Sequence, residues 1–179
     1  MEHCQSKGIW DSSVPVEKSS YLHDHPVKYI NVDGFSYDAS KPTMLDLFCG
    51  AGGFAVGAAW AGFQSVLGVD HLEPAMKTWT HNHPNAIGCL GDIKQIDPDH
   101  IQRLLASKGV TQINLITGGV PCQGFSRANR KHNDHDERNF LFADFLRFVK
   151  VFMPDYIILE NVSGMRSTCL LYTSPSPRD

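Results

Sequence analysis

The sequence holds five cysteines among 179 residues, yet no two of them form a C-x-x-C pair. An odd, scattered set is a poor disulfide framework and offers no paired thiolates for a structural zinc. No N-terminal stretch joins positive charge to an apolar core, and no apolar run is long enough to cross a bilayer. The simplest expectation is a reduced, intracellular protein without a membrane partner, in cytoplasm or nucleoid, or in the nucleus of a eukaryote. A basic excess is also missing. Lys and Arg number 16 against 19 acids, a net charge of -3. Strong non-specific nucleic-acid binding usually shows as a basic excess, so bulk charge argues mildly against such a partner, unless a basic part lies outside this sequence. Repeats are absent. His-Asp-His-Pro at His23 and His-Asn-His-Pro at His81 look alike, but their flanks do not repeat. A zinc site would need a fourth-ligand pattern that is not there, so these are read as loop histidines and no metal is expected.

What is present is ordinary globular material. Hydrophobic residues make up 42% and charged residues 20%, enough for one domain with a core. Residues 1–42 are rich in Ser, His, Pro and Asp, carry little periodic pattern, and are expected to be a poorly structured leader. From Thr43 a rhythm begins. Short β-rich runs at Met44–Phe48, Ser65–Asp70, Ala86–Leu90, Ile113–Thr117 and Tyr156–Glu160 alternate with helical patterns at Phe54–Ala61, Pro74–Asn82, Pro98–Ser107 and Phe140–Phe152. Such alternation predicts an α/β fold with a doubly wound parallel sheet. Ligands of such sheets bind beyond the carboxyl ends of the strands, near the switch in strand order.

The first predicted strand runs into Asp46-Leu-Phe-Cys-Gly-Ala-Gly-Gly-Phe54. Gly50 and Gly52 permit a tight turn and a close approach of ligand to backbone. Asp70 closes the second strand about 20 residues after the first glycine, the usual place for a carboxylate that holds ribose hydroxyls. A dinucleotide oxidoreductase fits this much equally well, since Gly50, Gly52 and Ala55 satisfy the relaxed G-x-G-x-x-A pattern. So does a glycine turn that binds nothing. The third strand leads into Gly91-Asp-Ile93, where Asp92 is either an acceptor for an adenine amino group or a helix-capping aspartate.

Gly118-Gly-Val-Pro-Cys-Gln-Gly-Phe-Ser126 is the most informative segment. It puts Cys122 at a strand end, where ligands bind, and not in a core stripe. Arg127 and Arg130 stand close in sequence, and positive charge lowers a thiol pKa and makes a nucleophile. A small buried cysteine is the competing reading. The fifth strand ends in Leu159-Glu-Asn-Val162, where desolvation is expected to favour the protonated form of Glu160. If strands four and five are neighbours, Glu160 lies beside Cys122. A nucleophile beside an acid, next to a nucleotide-type glycine loop, is a group-transfer site. A polar stretch of unusual length, from about Pro121 to Arg138, follows the cysteine, and loops of that size are usually functional.

From about Met44 to Gly164 these segments resemble the DNA cytosine-5 methyltransferases, in order and at family-like spacing. Asp46–Phe54 resembles the S-adenosylmethionine loop, Val69–Ala75 the second motif and Gly91–Ile93 the third. Pro121-Cys-Gln123 is similar to the nucleophile motif, Arg138–Leu141 to the start of the helix after the catalytic loop, and Glu160-Asn-Val162 to the glutamate motif. The resemblance implies a Rossmann-like, S-adenosylmethionine-dependent fold. It implies that Phe48 packs on adenine and that Asp70 holds the ribose. His71 or Leu72 would lie beside the adenine, Asp92 and Ile93 would read its edge, and Leu141 would touch the cofactor. The family more often has Glu where this chain has Asp70. Cys122 is then the nucleophile that adds to cytosine carbon 6, and Glu160 holds the N3 and amino edge. Pro121, Gln123, Ser126 and Arg127 belong to the loop that would close over a base flipped from double-stranded DNA.

One related reading and two of other classes stay open on these residues. A tRNA cytosine-5 methyltransferase would share fold, cofactor, cysteine and glutamate, although Gly124-Phe-Ser126 looks more like the DNA enzymes. A non-catalytic cofactor-binding fragment or pseudoenzyme would share fold and cofactor, although intact Cys122 and Glu160 argue against decay in the parent. An NAD-linked oxidoreductase explains the glycine loop and Asp70, but leaves Pro-Cys-Gln and Glu-Asn-Val without a role. The expected organisation is the leader over 1–42, a partial catalytic domain over 43–168 that stops after the fifth strand, and a tail over 169–179. That tail, Cys169-Leu-Leu-Tyr-Thr-Ser-Pro-Ser-Pro-Arg-Asp179, resembles the translation of a transposon adapter and is expected to be foreign to the fold. The full-length enzyme is expected to be a monomer, and this piece alone to be inactive because it lacks the part that reads DNA.

Overall fold

The computed structural model describes residues 26–120 and 141–160. Six strands form one sheet in the order β1-β4-β3-β2-β5-β6. They are β1 (Lys28–Ile30), β2 (Thr43–Leu47), β3 (Gln64–Asp70), β4 (Ile87–Leu90), β5 (Leu115–Gly118) and β6 (Tyr156–Leu159). All neighbours are parallel except β1 and β4. The helices are α1 (Gly53–Trp60), α2 (Glu73–Asn82), α3 (Pro98–Ser107) and α4 (Leu141–Phe152), with one 3-10 turn at Ile93–Gln95. The chain lays down β2, walks outward through β3 and β4, then returns to β5 on the other side of β2. The order of strands therefore reverses between β2 and β5, which is where a doubly wound sheet opens a ligand crevice.

The central strands are apolar because both faces are covered. Every residue of β2 and of β5 is buried. Period-2 alternation sends successive residues to opposite faces. Asp46 pairs with Gly68 and Thr117, while Leu47 pairs with Gly118. On the Asp46 face lies a small cluster of Cys49, Ala55, Met76, Trp79 and Ala86, built from α1, α2 and the turns before them and before β4. On the other face lies the main core, where Ile101 and Leu105 of α3 meet Phe145 and Phe148 of α4. α3 has a clear start: Pro98 occupies its first turn, and Asp97 accepts from the Asp99 amide at 3.0 Å.

Residues 26–42 correct the expectation of an unstructured leader over 1–42. β1 pairs antiparallel with β4, Tyr29 opposite Cys89. Val27, Tyr29, Val32, Phe35 and Tyr37 pack against the main core. The segment is tied by the Tyr37 hydroxyl, which donates to the Gly109 carbonyl at 2.6 Å, and by the Asn31 amide, which donates to the Ala86 carbonyl at 3.1 Å. Its strand is three residues long and ends at Asn31, whose φ is 63°. So short a run, broken by a left-handed residue, leaves no periodicity to read. Residues 1–25 and 161–179, including the expected tail, lie outside the described residues.

Three strand glycines, Gly68, Gly88 and Gly118, set how closely helices approach the sheet. A Cβ on Gly68 would stand 2.5 Å from Trp79 Cε2, and one on Gly118 would stand 2.7 Å from Phe145 Cε2. The indole of α2 and the phenyl of α4 thus rest on bare backbone from opposite sides. Gly68→Ala should force the buried indole off its seat and destabilise the fold by roughly 1–3 kcal/mol, the usual cost of overpacking. Urea denaturation of this chain and its variant, followed by tryptophan fluorescence, measures that difference.

Candidate functional site around the glycine loop

The turn after β2 is built for close approach. Phe48, Gly50 and Gly52 have φ of 54°, 53° and 101°, so three of five residues adopt left-handed backbone. Glycine takes this conformation without the steric cost that a Cβ brings. Phe48 is not glycine, and strain at a loop beside a ligand crevice is typical of a functional position. A Cβ on Gly50 or Gly53 would meet nothing within 4 Å, so the loop faces open space there. At Gly52 the picture reverses. A Cβ would stand 3.0 Å from Trp79 Cδ1 and 3.2 Å from His83 Nε2, so this glycine faces the protein and seals the turn onto α2.

Asp70 holds the loop in place. Its Oδ2 accepts from the Gly50 amide at 2.8 Å and its Oδ1 from the Leu72 amide at 2.8 Å. His71 Nδ1 stands 3.6 Å from Oδ1. The carboxylate is buried, whereas His71 and Leu72 are exposed at the rim. Each carboxylate oxygen accepts more than one hydrogen bond, so these contacts leave capacity for a ligand hydroxyl. Next along the same edge, Asp92 caps the 3-10 turn. Its Oδ1 accepts from the Lys94 amide at 3.0 Å, and Ile93 behind it is buried. The capping role weighed from the sequence is present, and it uses one oxygen.

On the far side of the switch, the Glu160 amide donates to the Gly118 carbonyl at 2.9 Å. A methyl group placed on Gly119 would lie 3.4 Å from Glu160 Oε2 and 4.0 Å from the Phe48 carbonyl oxygen. Gly119 thus sits between the glycine loop and the glutamate. Glu160 is exposed, so the burial expected at an apolar strand end is not found. Leu141 opens α4 and packs against the main core. Pro121, Cys122, Gln123, Ser126, Arg127 and Arg130 lie outside the described residues, with Val120 the last described residue before them. Among the described residues no three His, Cys, Asp or Glu side chains gather to hold a metal ion, and no helix is long and apolar enough to cross a membrane.

The sequence reading assigns no role to Asp46, and the structure gives it a central one. The carboxylate is fully buried. It accepts from the Thr117 hydroxyl at 2.8 Å, from the Trp79 indole at 3.2 Å and from the Ala55 amide. Ala55 is the third residue of α1, the position whose amide a capping side chain normally satisfies. Gly52 occupies the cap itself and has no side chain to do this. A strand residue therefore caps the helix from beneath. The available signal was a lone acid inside Met44-Leu-Asp-Leu47, a strand otherwise apolar. Nearby, His83 packs its ring 4.7 Å from that of Trp79, and its Nε2 has no hydrogen-bond partner among the described residues. Burial pushes the His83 imidazole down.

Burial pushes the Asp46 carboxyl up to about 6, against the hydrogen bonds from Thr117, Trp79 and Ala55, and the charge of Asp70 adds to the rise. The folded chain then holds a proton that the unfolded chain releases, so stability falls as pH climbs from about 4 to about 6 and is flat above. Asp46→Asn should remove that slope. Over this window the wild type should lose roughly 3 kcal/mol relative to the variant, measured by urea denaturation at stepped pH.

Comparison with known proteins agrees with this geometry. The family model for C-5 cytosine-specific DNA methylase matches residues 42–171. The Type II methyltransferase M.AgeI of Thalassovita gelatinovora is 41% identical over 125 residues, covering 69% of this chain and 28% of that protein. M.DdeI of Desulfomicrobium norvegicum is 40% identical over 124 residues, with the same coverage of 69% and 28%. This chain therefore spans less than a third of the length of these relatives. A structure described as a DNA modification methyltransferase encoded within an E. coli prophage superposes with a TM-score of 0.59 at 33% identity, over 69% of this chain and 33% of that one. Spodoptera frugiperda DNMT2 superposes with a TM-score of 0.52 at 26% identity, over 72% and 38%. With the matched span reaching from β2 through β6, the chain belongs to the C-5 cytosine-specific DNA methylase family.

Proposed function

We propose that this chain carries the cofactor-binding and reactive-cysteine portion of an enzyme that methylates carbon 5 of cytosine in double-stranded DNA. One observation carries the reading. The left-handed glycine loop, the buried Asp70 and the Glu160 carboxylate converge where strand order reverses, with Gly119 between Phe48 and Glu160 and Cys122 three residues further on. An oxidoreductase accounts for the loop and Asp70 but not for the glutamate and cysteine on the other side of the switch.

The residues present fit S-adenosylmethionine. The loop offers bare backbone at Gly50 and Gly53, where nothing would obstruct a ligand, and Asp70 and Asp92 follow along the same sheet edge. Gly50 and Gly52 would cradle it, with Phe48 against the adenine, Asp70 at the ribose, His71 or Leu72 beside the adenine, Asp92 and Ile93 at the adenine edge and Leu141 in contact. When bound, it supplies an electrophilic methyl group. The protein's task is to turn cytosine into a nucleophile. The Cys122 thiolate adds to carbon 6 of the ring, which makes carbon 5 electron-rich. Glu160 holds the N3 and amino edge and stabilises the charge that develops there. Loss of the carbon 5 proton after transfer expels Cys122. Pro121 and Gln123 flank the nucleophile, and Ser126 and Arg127 follow it, where Arg127 favours the thiolate. Carbon 6 is unreachable in a stacked duplex, so the base is flipped out.

Two measurements test this. In a polypeptide of full family length that contains this sequence, Cys122→Ser should abolish the covalent adduct with DNA containing 5-fluorocytosine. An adduct that persists removes Cys122 from the mechanism. Separately, Asp70→Ala should weaken S-adenosylmethionine binding by roughly 1–3 kcal/mol, the range for a hydrogen bond to a charged group. Calorimetry with unchanged affinity would take Asp70 out of the site.

A further inference from the structure

The 3-10 turn that presents Asp92 is capped at both ends, and the two caps come from different places. At its start Asp92 caps itself through the Lys94 amide, and the Gln95 amide donates to the Asp92 carbonyl at 2.9 Å. The far end of such a turn leaves carbonyl oxygens without intrahelical donors. Here they are met by a residue more than 50 positions away. Arg147, in the middle of α4, donates from Nη2 to the Ile96 carbonyl at 2.8 Å and from Nη1 to the Lys94 carbonyl at 3.5 Å. Nη1 also pairs with Asp144 Oδ1 at 2.9 Å, one turn earlier on α4. Asp144 is largely buried, and Arg147 is about 39% exposed. The planar fork lets one guanidinium serve a carboxylate and two carbonyls at once, which a lysine ammonium cannot reproduce in the same geometry.

We infer that Arg147 is a positioning residue for cofactor recognition, fixing the 92–96 turn so that Asp92 stands where it accepts from the adenine amino group. This rests on the reading of Asp92 given above. Arg147 does not reach the ligand itself; its two carbonyl contacts lie at residues 94 and 96, behind the acid they steady. Ile93 and Ile96 are buried in the main core beside Phe145 and Phe148. The turn thus keeps its apolar anchors without Arg147, and what the guanidinium adds is the orientation of its backbone. Removing that restraint therefore affects selectivity more than folding.

The experiment compares two ligands on a polypeptide of full family length that contains this sequence. S-adenosylhomocysteine carries the amino group; S-inosylhomocysteine carries an oxo group in its place. Affinities of both are measured by calorimetry for the wild type, Arg147→Met and Arg147→Lys. Met retains the apolar stem and Lys retains the charge beside Asp144. The wild type should prefer the adenine ligand by about tenfold or more, and both variants should narrow that preference by about fivefold, with melting temperatures within a few degrees of the wild type. Equal loss of affinity for both ligands, or an unchanged preference, overturns the role of Arg147 while leaving the cofactor reading intact. Failure of the wild type to bind either ligand overturns the cofactor reading, and the inference about Arg147 with it. Should Arg147→Met fail to fold, Arg147→Lys alone decides, because a lost preference there cannot come from lost charge.

Discussion

The buried carboxylate of Asp46 is the constraint on which the rest of this site depends. A glycine must stand at Gly52, because φ there is 101° and a Cβ would press on Trp79 and His83. A glycine cannot cap a helix with a side chain. Asp46 supplies that missing acceptor from the strand below, at Ala55, and takes the Trp79 indole and the Thr117 hydroxyl on its remaining lone pairs. One side chain thereby fixes the start of α1, the seat of α2 and the register of β2 against β5. A carboxylate without a cationic partner among these contacts is costly to bury, and three donors offset much of that cost. Removing any single donor would push the carboxyl pKa higher still and leave part of its desolvation without compensation.

Asp46 and Asp70 divide the work on either side of the loop. Asp46 fixes where α1 begins, and Asp70 fixes Gly50 and Leu72. The loop between them is thus held by hydrogen bonds from below and from the neighbouring strand while its outer surface stays bare at Gly50 and Gly53. This is preorganisation: the amides and carbonyls are oriented before a ligand arrives. Asp70 suits this role, since its short side chain ends beside the Gly50 and Leu72 amides it holds.

Much of the fold was legible because α/β units write two periods into the sequence. Pro98–Ser107 and Asp70 fall where the alternation puts them, and the other parallel strands and helices agree to within about two residues, the usual uncertainty of an element boundary. β1 was not legible: three residues ending at a left-handed asparagine carry no period, and pairing with β4 is a tertiary event. The 3-10 turn was visible only as the capping possibility at Asp92. Candidate site residues at strand ends could be named from the sequence because the topology of such sheets puts ligands there. Asp46, Trp79 and Arg147 were not, because they act through buried contacts across 33, 71 and about 50 positions. Sequence spacing carries no trace of such distances.

The described surface also departs from that of a self-contained domain, and in two specific places. α1 is apolar along its whole length, yet Ala55 is its one buried residue and Trp60 is 87% exposed. A helix apolar on all sides is ordinarily enclosed. Among the described residues β6 is the last strand on its side of the sheet and exposes Tyr156, Ile157 and Ile158, and an edge of that kind can accept a further strand. Both lie next to the elements that build the site: α1 follows the glycine loop, and β6 ends in Glu160. The loop and the glutamate are each secured on the side facing the core by Asp46, Asp70 and the Gly118 carbonyl, and bare on the side facing outward. Among the described residues, then, the glycine loop and the glutamate are held at the strand ends from the core side, and a chemistry there that needs water excluded would require cover over those same outward faces.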